Sequence, residues 1–333
     1  MKNLKTILVT GGAGYCGGIL IPMLLEKNFK VKVYDIMFFG SDHLPKTPNL
    51  EIIKADIRDI EIFKKSLNGV DIVLHLACIS NDTSFVLNEK LSETINYDSF
   101  EPLVIESKKS GVRRFIYASS SSVYGVSDKP DVTEDHPLVP LTLYNKFKGL
   151  CEPLLLKHID ESFSGVIFRP ATVCGYSPRQ RLDVSVNILT NFAINKDFIK
   201  VFGGTQMRPN LHINDYAKLC IKLIESSDEL VNGQIFNCGY ENMKISEIAS
   251  SVKNIVEENY NKKIEIKTEF SDDNRSYHIN SDKIKRVLDF SPTLTIEDAV
   301  NDLCIAFKKN LLPNSFDDDK YFNVKSIKKS GII

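Results

Sequence analysis

The run TILVTGGAGYCGG, residues 6–18, decides the fold. Its first five residues are mostly β-branched and read as a buried strand. Glycines then fall at 11, 14 and 17, in the spacing G-x-x-G-x-x-G, and an apolar helical stretch, GGILIPMLLEKN, follows without a break. Glycines in that arrangement permit a tight βα turn, a close approach of backbone to a pyrophosphate, and close helix–strand packing. The helix N-terminus then faces the phosphates with free N–H groups. A bare βα turn would need none of this context. With strand before and helix after, Gly11, Gly14, Tyr15, Cys16 and Gly17 are expected to form a dinucleotide-binding turn.

Outward from this turn the same rhythm continues. KVKVYD (30–35), LEIIKADI (50–57), DIVLHLA (71–77), RRFIYAS (113–119) and GVIFRPATVCGY (165–176) read as strands. Helical stretches lie between them: DIEIFKKSL, and one long helix over KLSETINYDSFEPLVIESKKSG (90–111). Strand–helix alternation implies βαβ units in a parallel sheet with right-handed crossovers. The expected fold class is α/β, a doubly wound parallel sheet with a smaller C-terminal α/β lobe. Residues 1–168 would form the nucleotide-binding domain, with segments near 205–240 returning to it, and residues 169–333 mainly the substrate lobe. In that lobe KISEIASSVKNIVEENYN reads as a helix with Ser246 as its N-cap, and IEDAVNDLCIAFKKN as another.

Bulk properties narrow the function classes. The chain has 333 residues, 43% hydrophobic and 26% charged, with a net charge of −1. No basic field favours nucleic acid or an anionic membrane. No apolar run reaches the roughly 18 residues needed to cross a bilayer, and the N-terminal run reads as a strand, not a signal peptide. Seven scattered cysteines with no C-x-x-C pair give neither metal-ligand spacing nor a disulfide framework. Reduced thiols in a cytoplasmic protein without metal are expected.

Asp35 ends the second strand about twenty residues past the turn, where an acid accepts hydrogen bonds from an adenosine ribose. Residues 36–40 carry no Arg or Lys to neutralise a 2′-phosphate. That favours NAD over NADP. Asp56 would meet the adenine amino group with Ile57 against the ring; on physical grounds alone a turn acid is an equal reading of Asp56.

The serine run YASSSSVYG (117–125) follows a strand, and PLTLYNKFKG (140–149) follows it. Tyr144 and Lys148, four apart on a helix, share a face. A phenol titrates near 10, so a tyrosine base near neutrality needs a shift of about three units, roughly 4 kcal/mol. A neighbouring ammonium and the charge of an oxidised nicotinamide are perturbations of the right sign. A serine on the adjacent strand end would share the same substrate oxygen.

At this point the chain resembles the extended short-chain dehydrogenases/reductases, of the NAD-dependent nucleotide-sugar epimerase/dehydratase type. The resemblance rests on TGGAGYCG, Asp35, ADIRD, HLAC, SSSSVYG, YNKFK, FRPATVCG and QMRPNLHINDY, and spans nearly the whole chain. It implies Ser120 as the working serine, Tyr144 as base and Lys148 as its partner and ribose ligand. His75, Leu76 and Ala77 would line the cofactor path, His75 in a positional role. Asn96 matches a family asparagine near the active-site helix. Pro170 to Val173 would touch the nicotinamide amide, while Ser120, Ser121 and Thr172 would face the sugar. Cys174 would pack beneath that loop. Arg179 and Arg181 follow a strand end, where ligands of doubly wound sheets bind, and Arg179 would face the sugar nucleotide; Asn187, Arg208 and Arg275 would face its diphosphate, guanidinium forks suiting paired phosphate oxygens. Asp215 reads as a helix cap.

The resemblance implies an enzyme that oxidises a nucleotide-activated sugar at C4, for surface-polysaccharide sugar synthesis in a bacterium. It would either release a 4-keto sugar or invert the centre. Alternatives are 4-keto-sugar reduction, 4,6-dehydration, or a non-catalytic NAD-binding regulator. Dehydratases of this family carry Asp–Glu directly after the working residue, and 3,5-epimerising members a Cys two places before the loop tyrosine. Here those places hold Ser121 and Ser122. The family pairing of the Tyr144 helix implies a homodimer, with Leu150, Leu154 and Leu155 as candidate contacts.

Overall fold

The computed structural model describes residues 5–127, 129, 131–271, 276–329 and 331. Strands β1 (Thr6–Thr10), β2 (Lys30–Asp35), β3 (Leu50–Lys54), β4 (Ile72–His75), β5 (Arg114–Ala118) and β6 (Ser164–Pro170) join a later strand in one seven-stranded sheet. Between these and the later strand come β7 (Thr172–Cys174), β8 (Phe198–Phe202) and β9 (Met207–His212). The seventh member is β10 (Ile235–Cys238); β11 (Glu241–Lys244) and β12 (Glu265–Glu269) complete the set. The sheet order is β10-β6-β5-β4-β1-β2-β3, and every pairing is parallel.

Strands β4 and β5 are buried at every residue, as a parallel sheet covered on both faces requires. One face packs on the helices Gly17–Glu26 and Ile213–Glu225 through Leu20, Leu24, Leu219 and Leu223. The other packs on Phe63, Phe100, Leu103 and Leu155. Chain order reverses between β1 and β4, so a crevice opens at their carboxyl ends, where ligands of doubly wound sheets bind. A second lobe combines the β11-β9-β7 sheet and the β12-β8 pair with helices Ser185–Lys196, Ile245–Tyr260 and Ile296–Lys308.

Three expectations are corrected. The long helix is two helices, Glu89–Glu93 and Phe100–Lys109, joined by a π-helical turn at Thr94–Asp98. That turn carries the buried Asn96, whose amide clamps both backbone groups of Ile79, at 2.8 and 3.0 Å. Ser246 is not an N-cap: the helix begins at Ile245, and the Glu247 carboxylate accepts from the Lys244 N–H. Asp215 is not a cap either. It lies inside the first turn of its helix, and Oδ2 accepts from the N–H groups of Thr293 and Leu294. The helix Ile213–Glu225 had a legible signal, since Ile213, Tyr216, Ala217, Cys220, Ile221 and Ile224 fall on one face and are all buried.

Candidate active site

The crevice is a cavity of about 390 Å³ that runs from the glycine turn to the serine run. At one end the turn packs on the loop that leaves β4: a Cβ on Gly11 would stand 2.7 Å from the Ala77 nitrogen. Gly11, Gly14, Tyr15 and Cys16 line the cavity. Gly17 does not; a Cβ there would sit 2.0 Å from the Gly12 carbonyl, so its role is packing behind the turn. Tyr15 lends its ring only, because its hydroxyl donates to the Gly175 carbonyl. Burial pushes the Cys16 thiol up to about 12, so it is no nucleophile.

Asp35 accepts from the Ala13 N–H at 3.0 Å and from the Met37 N–H at 2.8 Å, tying the turn to its own strand end. Burial pushes its carboxyl up, against these two hydrogen bonds. Asp56 and Ile57 line the same end, with Asp56 held by Arg58 at 2.6 Å, which lowers its carboxyl. Leu76, Ala77, Pro170 and Val173 continue the wall. His75 lies behind it, Nδ1 2.9 Å from Thr10 Oγ1, and burial beside Lys148 pushes its imidazole down to about 3, so the ring is neutral.

Arg179 was expected on the sugar nucleotide; it lies instead beside Asp35. Its guanidinium stacks 3.4 Å over the Phe39 ring, and Nη2 donates to Asn323 Oδ1. Burial lowers it to about 9. Arg181 lies nearby, with Nε donating to Asp183 Oδ1 at 2.8 Å. Both arginines line the cavity, and Arg179 Nε and Arg181 Nη2 are buried without a partner in the protein. Buried guanidinium N–H groups require an acceptor. A glycine turn, an acid at the next strand end and two orphaned arginine donors fit NAD.

At the other end Ser120, Ser121, Tyr144 and Lys148 meet on one wall. Thr142 caps the helix Leu143–Leu156 by accepting from the Asn145 N–H, and so fixes where Tyr144 and Lys148 emerge. Lys148 is buried, and its Nζ donates to the Ala118 carbonyl at 2.7 Å. Ser120 Oγ and Ser122 Oγ are 2.7 Å apart, and Ser122 Oγ donates to Asn145 Oδ1. Burial pushes the Tyr144 phenol well above 10; Cys78 and Asp82 add to this and Arg181 opposes it. The protein alone therefore does not lower this phenol, contrary to the expectation for an adjacent ammonium.

A smaller hollow of about 290 Å³ adjoins, lined by Asp82, Ser122, Thr172, Arg208 and Tyr277 among others. Thr172 faces both hollows, and Arg208 lies 5.6 Å from the Tyr277 ring centroid. Arg275 lies outside the described residues. Asn187 does not reach the site. It is 0% exposed, accepts from the Gly175 N–H, and donates to the Tyr15 hydroxyl and the Arg181 carbonyl, bracing the 175–181 loop from behind. Cys174 is buried under the same loop.

Sequence reasoning missed the scaffold beneath the serine run. Glu152 and Arg169, 2% and 3% exposed, form a two-pronged ion pair at 2.9 and 2.5 Å. Ser119 Oγ donates to Glu152, and Arg169 Nη1 donates to the Tyr124 hydroxyl. It also missed Asn323, on the cavity wall 85 residues past the end of β10, the last strand of the main sheet. Among the described residues no His/Cys/Asp/Glu cluster could hold a metal ion, and no helix is long and apolar enough to cross a membrane.

The sheet order and the turn, with an acid at the next strand end, define a dinucleotide-binding α/β protein. A family model described as the NAD dependent epimerase/dehydratase family matches residues 7–239, and the chain belongs to that family, whose cofactor is NAD. Uncharacterized protein y4nG of Sinorhizobium fredii is 32% identical over 222 residues, 66% of this chain and 53% of that protein. UDP-arabinose 4-epimerase 1 of Arabidopsis thaliana is 28% identical over 285 residues, 75% of this chain and 65% of that protein. The chain thus spans between about half and two thirds of the length of these relatives. A crystal structure of UDP-glucose 4-epimerase with UDP-glucose, from Thermotoga maritima, shares the fold with a TM-score of 0.81 at 24% identity, covering 92% of this chain and 99% of that one.

Proposed function

We propose that the chain oxidises a nucleotide-activated sugar at C4 and either inverts that centre or releases the 4-keto sugar, in carbohydrate synthesis of the surface-polysaccharide kind. NAD, held by the glycine turn, Asp35 and the wall at Pro170 and Val173, would supply the hydride acceptor and a positive charge. Tyr144 takes the C4 hydroxyl proton, Ser120 hydrogen-bonds the same oxygen, and Lys148 holds a positive charge behind them. Thr172 and Arg208, on the adjoining hollow, would face the sugar and the diphosphate. Relatives whose names specify 4-epimerisation of UDP-sugars support the choice of C4.

The observation that carries this reading is the hydrogen-bonded run of two serine hydroxyls and one amide, Ser120–Ser122–Asn145, on the cavity wall that Tyr144 also lines. Each member is neutral, and a serine hydroxyl is far too weak an acid to protonate a departing hydroxyl near neutral pH. The reading is tested with Tyr144→Phe. It should retain NAD and sugar-nucleotide binding while turnover falls about 10²- to 10⁴-fold, the usual contribution of general-base catalysis. Turnover within threefold of wild type would refute the role of Tyr144, and a chain that turns over no sugar nucleotide at all would be the regulator.

Asp82 favours a second reading. It lines both hollows, its charge acts on Tyr144, and its Oδ1 accepts from Thr142 at 2.6 Å. A carboxyl there is the kind of group that elimination of water needs, and a product lighter by one water would establish it.

A homodimer through the helix Leu143–Leu156 is also proposed. Leu150 is 39% exposed and Leu154 half-buried, both available to a partner. Leu155 is not, being fully buried in the core. Light scattering at micromolar concentration should give twice the chain mass; a monomer would refute the pairing.

A further inference from the structure

The segment after the helix Ile296–Lys308 crosses from the second lobe to the first over the cofactor cavity. It is anchored in the second lobe by Tyr321, which is buried in a cluster with Leu182, Leu303 and Leu312 and accepts the Leu182 N–H at its carbonyl. Two residues on, Asn323 is 5% exposed and stands on the cavity wall. All of its polar groups except the carbonyl bridge two different loops. Its backbone N–H donates to Asp183 Oδ2 at 2.8 Å, and its Oδ1 accepts from Arg179 Nη2 at 2.7 Å. Its Nδ2 donates to Ser80 Oγ at 2.9 Å. Ser80 belongs to the loop that leaves β4, whereas Arg179 and Asp183 belong to the loop that leaves β7. The helix Asn323–Lys329 then packs on the helix Asp82–Phe85.

One asparagine therefore ties the two rims of the cavity together and holds one arginine directly. It reaches the second arginine through Asp183, which pairs with Arg181. Among the described residues, those are the two arginines with buried unpartnered N–H groups. This segment lies outside residues 7–239, which carry the family match.

We propose that residues 309–329 are a strap that closes the cofactor cavity. Asn323 is its clasp and a positioning residue that aims Arg179 and Arg181 at the diphosphate of NAD. Release of NAD requires the Asn323–Ser80 contact to break. The strap thereby slows exchange of bound NAD, whichever sugar product is formed. The inference rests on the family's cofactor and not on the choice of sugar.

The test follows release of isotopically labelled NAD from the purified holoenzyme into excess unlabelled NAD. Asn323→Ala should speed release about tenfold or more, equivalent to about 1.4 kcal/mol or more. KM for NAD should rise more than kcat at saturating NAD falls. Ser80→Ala should act in the same direction. The double variant should be less than additive, because the Asn323–Ser80 contact is removed by both substitutions, while Asn323 alone also holds Arg179 and Ser80 also accepts from Arg181 Nη1. Release within twofold of wild type from a folded Asn323→Ala would overturn the proposal, as would additive effects of the two substitutions. Should Asn323→Ala fail to fold, Ser80→Ala deletes a single hydroxyl, and unchanged release from it would overturn the proposal by itself. Failure of the C4 chemistry would leave these release rates untouched.

Discussion

Replacing Glu152 by alanine should unfold the serine run from below. The carboxylate accepts three hydrogen bonds, two from the Arg169 guanidinium and one from Ser119 Oγ. Both charges are buried, so its loss leaves Arg169 facing only the Tyr124 hydroxyl and the Glu134 carbonyl. Breaking one side of a buried pair costs about 3–5 kcal/mol. At about 2 °C per kcal/mol for a chain of this size, the melting temperature should fall by about 6–10 °C. The double variant Glu152→Leu/Arg169→Met removes both charges and should lose less than either single substitution, since no uncompensated charge remains. Thermal and urea melts of the wild type, Glu152→Ala, Glu152→Leu, Arg169→Met and the double variant measure this, with turnover followed in parallel because Ser120 sits next to Ser119. A loss under about 1 kcal/mol for Glu152→Ala, or a double variant that loses the sum of the singles, would refute the reasoning.

Two further outcomes are expected. Asp35→Ala should weaken NAD binding by about 1.5–3 kcal/mol for each charge-assisted hydrogen bond lost, read by calorimetry; tighter binding of NADP than NAD by wild type would contradict the ribose role. His75, held neutral with its imidazole down at about 3 against an ordinary 6.5, takes up a proton in the unfolded chain before the folded one. Stability should therefore fall as pH drops from 6.5 toward 3, with His75 contributing about 1.4 kcal/mol per pH unit. His75→Gln should remove that part of the slope, and an unchanged slope in urea melts would refute it.

What was legible in the sequence was local. The glycine turn, Asp35 at its strand end and the Tyr144–Lys148 spacing are each written within a few dozen residues, and the fold places all of them on one cavity. Ser120 was singled out from the serine run only by the family resemblance, because four consecutive serines carry no local signal that separates them. What escaped depends on partners far apart in the chain. Asn187 looks like a polar residue on a helix until Tyr15, 172 residues earlier, meets its amide. Arg179 looks like a sugar-nucleotide ligand until the fold stacks it on Phe39. Asn323 and Ser80 are 243 residues apart, and no periodicity encodes that contact. The π-turn at Thr94–Asp98 was hidden for another reason: its residues have ordinary helical propensity, and the clamp of Asn96 on Ile79 selects the wider turn.

The central claim is that hydride leaves C4 and that no water is lost. It is tested by turning over a panel of nucleotide sugars deuterated at C4 with the wild-type holoenzyme and locating the label by mass spectrometry and NMR. The account predicts an unchanged elemental composition with deuterium retained at an inverted C4, or a 4-keto sugar with the deuterium on the nicotinamide. A product lighter by one water with deuterium at C6, or turnover that leaves the C4–deuterium bond intact, would contradict it.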